Sequence, residues 1–206
     1  MNQKNKKIRI AIQKRGRLQE PSLNFLKNLG LKFKPNGSKL ITLCTNANVE
    51  ILYVRNSDIP QYVKYGVADY GIVGENVLIE KKAKLKIIRR LGFGKCKLII
   101  AVPKKSNIKT INDLSEERIA TSYLNTLKQY LKNKKINAST IEINGSVEIC
   151  PTLNMADAIC DITQTGTTLK ENNLEIIEKI LDSEAVLIES PFTNQNLTPE
   201  QWKNIT

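Results

Sequence analysis

The chain predicts an α/β protein with mostly parallel sheets, built as two lobes facing a cleft. Three observations predict it. Short apolar runs alternate with amphipathic segments along the 206 residues. Several runs end in a turn rich in glycine, threonine or arginine, just ahead of a helical segment. Those turns fall in two groups, one before about residue 90 and one after about residue 120.

In order, Ile8 to Gln13 alternates as a strand and enters the basic turn Lys14-Arg15-Gly16-Arg17. A helix begins near Glu20-Pro21, with Leu23, Leu26 and Leu29 on one face and Gly30 placed to end it. Phe33 to Ser38 reads as a turn region. Lys39 to Thr45 and Val49 to Arg55 read as paired strands about Asn46-Ala47-Asn48. Asp58 is positioned as the N-cap of a short helix with Pro60 in its first turn. Gly66 to Asn76 repeats the pattern of turn, strand, glycine and helix.

Leu85 to Ile88 and Cys96 to Val102 read as strands, with Gly92 and Gly94 between them. Arg118 to Thr121 is a strand leading to Ser122-Tyr123 and a helix carrying Leu124, Leu127 and Leu131. Thr140 to Ile143 is a strand, Asn144-Gly145 a turn, and Val147 to Leu153 a short helical piece. Ala158, Ile159, Cys160 and Ile162 form a buried strand running into Thr163-Gln164-Thr165-Gly166-Thr167-Thr168. Leu174, Ile177 and Leu181 then recur at helical spacing, which predicts a helix there. Ala185 to Ile188 is the last good strand, and Thr198-Pro199 opens one more helix that includes Trp202.

Composition narrows the function classes. The chain has no histidine, so a His general base and every His-dependent triad are excluded. Its four cysteines are widely spaced, without a CxxC pair. They read as small reduced core residues, not zinc ligands. The net charge of +12 invites a nucleic-acid reading. Of the 32 basic residues, however, seven are arginine and the other 25 are lysines scattered over helix faces. Aromatics make up only 5%, with no run interleaving them with basic residues for base stacking. No apolar run is long enough to cross a bilayer. The N-terminal lysines are followed by a strand, not by a signal segment, so a cytoplasmic protein is expected.

Two turns carry chemistry. In Asp161 to Leu169, threonine hydroxyls, a close-approach glycine and the backbone N–H groups of a tight turn suit a phosphate. Asp161 cannot bind phosphate but can accept hydrogen bonds from sugar hydroxyls. A polar strand-to-helix connection capped by threonine accounts for the same residues. In the first group, Gly16 gives room and Arg17 can bind a di- or triphosphate bidentately, whereas a solvated basic loop is the alternative.

Read together, Glu148, Ala156, Ile159, Asp161, Thr165, Gly166, Thr168 and Leu169 fall at the spacing of a known signature. The stretch resembles the phosphoribosyl-diphosphate (PRPP) loop of the ATP phosphoribosyltransferases. Gln13-Lys14-Arg15-Gly16-Arg17-Leu18 looks like the nucleotide-binding turn of that family. Gly66 to Gly74 matches its Gly-x-x-Asp-x-Gly-Ile-x-Gly stretch, and Ser122-Tyr123 its Thr-Ser-Tyr-Pro position. Three positions depart from the pattern. Asn154 replaces a glycine, as the next-best residue for a left-handed backbone; Gln164 replaces a small or acidic residue; and Leu124 replaces proline. The likeness runs from Ile8 to about Ser190.

The resemblance implies two periplasmic-binding-protein-like lobes: residues 1–94 with 186–206 returning to them, and residues 95–185 carrying the PRPP loop. It implies an enzyme joining ATP and PRPP, the first step of histidine biosynthesis. Arg17 and Arg55 would act at the departing pyrophosphate, with Mg2+ carried in by PRPP. Glu148, Asp161, Thr163, Gln164, Thr165, Gly166, Thr167 and Thr168 would hold PRPP. Lys14, Gly16, Asp69, Gly71 and Tyr123 would hold ATP, a turn or capping acid being the alternative for Asp69. The family exists in a long form with a regulatory domain and a short form relying on a histidyl-tRNA-synthetase-like subunit. This chain is expected to be a catalytic part without the regulatory domain, and a homodimer or higher homo-oligomer. Partners of nucleic-acid or membrane type are not expected. A solute-binding protein would share the two lobes and a nucleic-acid binder the charge, so both remain as competing classes.

Overall fold

A computed structural model describes residues 7–34 and 39–193. The helix expected from Thr198 lies outside the described residues. The chain divides into two compact units, Met1–Gly94 with Glu184–Thr206, and Lys95–Ser183.

The first unit is a six-stranded sheet with helices on both faces. Its strands are β1 (Ile8–Gln13), β2 (Ile41–Leu43), β3 (Val49–Val54), β4 (Tyr70–Gly74), β5 (Lys86–Arg90) and a late strand, Ala185–Glu189, which becomes β11 below. Their order is β2-β3-β1-β4-β11-β5. Alternation along β1 explains the layering. Ile10 and Ile12 join one apolar cluster with Leu23 and Leu26 of α1 (Gln19–Asn28). Ala11 joins the opposite cluster with Ile59 and Val63 of α2 (Ile59–Lys64), and with Val77 and Leu78 of α3 (Glu75–Glu80). Asp58 precedes α2 as expected, but its side chain makes no capping bond and instead accepts from the Ser57 hydroxyl.

The second unit is a five-stranded sheet of β6 (Cys96–Pro103), β7 (Arg118–Thr121), β8 (Ser139–Glu142), β9 (Ala158–Thr163) and β10 (Leu174–Ser183), in the order β10-β6-β9-β7-β8. Helix α4 (Leu124–Lys134) covers one face through Leu127 and Leu131. On the other face, a 3-10 turn (Val147–Ile149) and α5 (Thr167–Glu171) pack Val147, Cys150 and Leu169 on Ile99, Ala120 and Ile159. Cys96, Cys150 and Cys160 are buried and form no disulfide, as a core role requires, whereas Cys44 is only half-buried.

Two expectations are corrected. Leu174, Ile177 and Leu181 belong to strand β10, not to a helix. Its pairing with β6 shifts register between Ile176 and Glu178 and again between Lys179 and Leu181. Each bulge adds a residue and stretches the period of two to three, which imitates helical spacing. Nor are the sheets mostly parallel. Only the central pairs are parallel: β1 with β3 and β4, and β7 with β8 and β9. β2, β6, β10 and β11 pair antiparallel. No helix among the described residues is long and apolar enough to cross a membrane.

Candidate functional site

In the first unit the candidate residues gather where the parallel strands end. β1 and β3 run in register to Gln13 and Val54, and the Lys14 N–H donates to the Val54 carbonyl at 2.8 Å. The Lys14-to-Arg17 turn and Arg55 therefore leave neighbouring strands at the same end. α1 lies on one face of the sheet and α2 on the other, so the carboxyl ends of β1, β3 and β4 form the switch point at which such sheets bind ligands. Gly16 adopts φ +115°, and the Gln13 carboxamide lies against it. Arg17 donates from Nη1 to the Gly94 carbonyl at 2.6 Å. Lys14, Arg15 and Arg55 have no side-chain hydrogen bond or ion pair among the described residues, which leaves three cations at this end for an anion.

Two of the residues expected at ATP are not brought to that end. Asp69 precedes β4, at the amino end of the parallel strands and so opposite the Lys14 turn, and is buried. It accepts from the Arg9 N–H at 2.9 Å and returns its own N–H to the Arg9 carbonyl. Its carbonyl accepts from Ser190 and Thr193, so it stitches the entry of β4 to β1 and to the end of β11. Gly71 is buried within β4, where a Cβ would come within 2.7 Å of Ile59 Cγ2 and 2.8 Å of Val63 Cγ2. These contacts tie both residues into the sheet. Sequence reasoning passed over Gly74 and Asn76, although they stood in the same motif. The buried Asn76 side chain crosses above Gly74, where any Cβ would collide with it.

The second unit presents its loop at the carboxyl end of β9. Thr163 Oγ1 accepts from the Gly166 N–H at 3.1 Å, closing the turn, and Gly166 takes φ +78°. No atom lies within 4 Å of the position a Cβ would take there. The glycine is thus required by backbone conformation, and the space beside it is open. Thr165 and Thr167 share a hydroxyl hydrogen bond of 2.9 Å. Gln164 points back, its Nε2 donating to the Lys95 carbonyl at 3.1 Å. The first N–H groups of α5 have no intrahelical acceptor and join this polar surface. Asn154, standing where the pattern has glycine, does adopt the left-handed backbone (φ +56°), and its carbonyl accepts from Arg118.

Asp161 lies on the same face of β9 as Ile159, toward the 3-10 turn that carries Glu148. Burial pushes its carboxyl up to about 6, and the Glu148 charge adds to this, against the opposing Ile162 N–H bond at 2.7 Å. A half-buried acceptor beside a second carboxylate is poised to be stabilised by hydroxyl donors. Tyr123 stands at the start of α4, its N–H donating to Thr121 Oγ1 and its ring against the α4-side core. Among the described residues no group of three or more His, Cys, Asp or Glu could hold a metal ion.

The family model described as HisG, ATP phosphoribosyltransferase, matches residues 55–206, taking in Arg55, Tyr123 and the whole Thr163–Thr168 loop. The chain belongs to the ATP phosphoribosyltransferase family. It is 48% identical over 184 residues to the ATP phosphoribosyltransferase of Cytophaga hutchinsonii, covering 89% of this chain and 64% of that protein. The chain therefore spans about two thirds of the length of such relatives. Among solved structures, an ATP phosphoribosyl transferase (HisG:HisZ) complex from Thermotoga maritima is similar at TM-score 0.81 and 31% identity, covering 96% of this chain and 98% of that one. The alkanesulfonate-binding protein SsuA from Xanthomonas axonopodis pv. citri matches at TM-score 0.55 and 16% identity over 90% of this chain and 65% of its own. That likeness is one of fold alone.

Proposed function

We propose that the chain catalyses the joining of ATP and PRPP to give N1-(5-phosphoribosyl)-ATP and pyrophosphate, the first step of histidine biosynthesis. The observation that carries the reading is the closed Thr163–Thr168 turn at the end of β9, beside Asp161, in a chain of this family. Adenine N1 is unprotonated in its usual tautomer, so attack at the anomeric carbon needs no strong base, and a chain without histidine can run it. The work is alignment and neutralisation of charge on the leaving pyrophosphate.

In this reading Thr163, Gln164, Thr165, Gly166, Thr167 and Thr168 hold the 5-phosphate, and Asp161 and Glu148 accept from the ribose hydroxyls. Lys14, Gly16, Asp69, Gly71 and Tyr123 are the residues assigned to ATP, Asp69 and Gly71 acting through the strand β4 that they tie into the sheet. Arg17 and Arg55 face the pyrophosphate, and Mg2+ arrives as part of the PRPP substrate. Lobes at 1–94 with 186–206, and at 95–185, are the working division, which the two compact units support. A cytoplasmic location suits a biosynthetic enzyme. The HisG:HisZ complex of the Thermotoga maritima relative supports assembly with a second kind of subunit, and a homo-oligomer joined by a histidyl-tRNA-synthetase-like regulatory subunit is the arrangement proposed. Pyrophosphate release from ATP, PRPP and Mg2+ tests the reading. Release that requires both substrates is expected, and none would be seen from a solute-binding protein or an RNA binder.

A further inference from the structure

Gln13 is the last residue of β1, and its side chain turns back across the basic turn. Its Oε1 accepts from the Leu18 N–H at 3.1 Å, which pins the backbone immediately after Arg17. That bond also fixes the orientation of the carboxamide, because an amide N–H can be met only by the oxygen. Nε2 is therefore held on the other side, over Gly16, only 2.5 Å from where a Cβ would stand. Nε2 has no acceptor among the described residues. Gly16 is thus glycine for two reasons, its φ of +115° and the carboxamide resting on it.

We propose that Gln13 is a positioning and specificity residue of the Lys14–Arg17 turn, its Oε1 fixing the turn and its Nε2 donating to the phosphate chain bound there. The inference rests on the assignment of that turn to the nucleotide. It adds a neutral donor whose direction is set by the fold to cations that are held less tightly. A neutral donor raises affinity without attracting every anion alike, so Gln13 favours a ligand whose oxygen sits over Gly16. Arg15 supplies long-range attraction, and Lys14 a contact whose direction the fold does not fix.

The test is equilibrium binding of MgATP and of tripolyphosphate to the full chain, by calorimetry, for wild type, Gln13→Met and Gln13→Glu. The first replacement keeps the volume without either hydrogen bond. The second keeps the Leu18 acceptor but replaces the donor by a charge. Both should bind at least fivefold more weakly, Gln13→Glu more so than Gln13→Met. If the side chain served only to hold the turn, Gln13→Glu would bind closer to wild type than Gln13→Met. That order overturns the proposal, as does wild-type affinity in either variant, or a wild type that binds neither probe. Turnover with PRPP is measured separately. A wild type that binds MgATP with the expected variant order, yet forms no product, sinks the proposed reaction and leaves the role of Gln13 standing.

Discussion

Replacing Asp161 by asparagine should make the unliganded protein more stable at neutral pH and, at the same time, a much poorer enzyme. The carboxyl is pushed up to about 6 by burial and by Glu148. A rise of roughly two units above the ordinary carboxylate value corresponds to about 3 kcal/mol at full weight. Partial exposure to water reduces this to about 1–2 kcal/mol. The sign follows from proton counting. Between pH ~4, where the unfolded carboxyl ionises, and pH ~7, above the folded value, the native chain holds the proton more tightly. Wild-type stability therefore falls as pH rises through that window. The amide is free of this penalty and can still accept from the Ile162 N–H. Urea unfolding at pH 8 should show the variant ahead by about 1–2 kcal/mol, and the gap should shrink toward pH 5. Turnover should drop by about 30-fold or more, through loss of a charge-assisted bond worth about 2 kcal/mol. A variant less stable than wild type at pH 8, or a gap that is the same at both pH values, would refute the electrostatic reasoning.

Arg17→Ala and Arg55→Ala should each raise the KM for the phosphate-rich substrates about tenfold or lower kcat, whereas Lys81→Ala and Lys132→Ala should leave both nearly unchanged. Equal effects in all four would mean that overall charge, not position, governs binding. Gly71→Ala forces a methyl against Ile59 and Val63 and should cost about 1–3 kcal/mol in urea unfolding. Asp157→Asn should lower Tm at neutral pH. The hydrogen-bonded Arg118 guanidinium holds the Asp157 carboxyl down at about 2, so its contribution is present above pH ~4 and lost as pH falls toward 2. A Tm difference that persists unchanged at low pH would argue against the ion pair as its source.

Much of this layout was legible because local chemistry and tertiary structure agree. Ile8 to Gln13 was legible as a strand because Ile10 and Ile12 face one apolar layer and the small Ala11 the other, and Gly30 and Asn154 mark left-handed backbone at the places expected. The grouping of turns before residue 90 and after 120 reflects two sheets whose parallel strands end in loops. β10 escaped because its two bulges depend on pairing with β6, and no local signal encodes pairing. Antiparallel flanks were missed for the same reason, since strand direction is fixed by partners. Asp69 shows the limit of motif reading. An acid two residues before a strand glycine is equally consistent with a ligand and with a tie between β4 and β1, and the Arg9 hydrogen bonds show the tie. Gln13 was visible only as part of a basic turn, because its role depends on a side chain folding back five residues.

The most direct test of the central claim is the identity of the product. Incubation of the chain with ATP, PRPP and Mg2+, followed by mass spectrometry and NMR, should show a phosphoribosyl group attached at adenine N1, formed in equal amount with pyrophosphate and dependent on both substrates. ATP recovered unmodified, or pyrophosphate released from either substrate alone without that adduct, would contradict it.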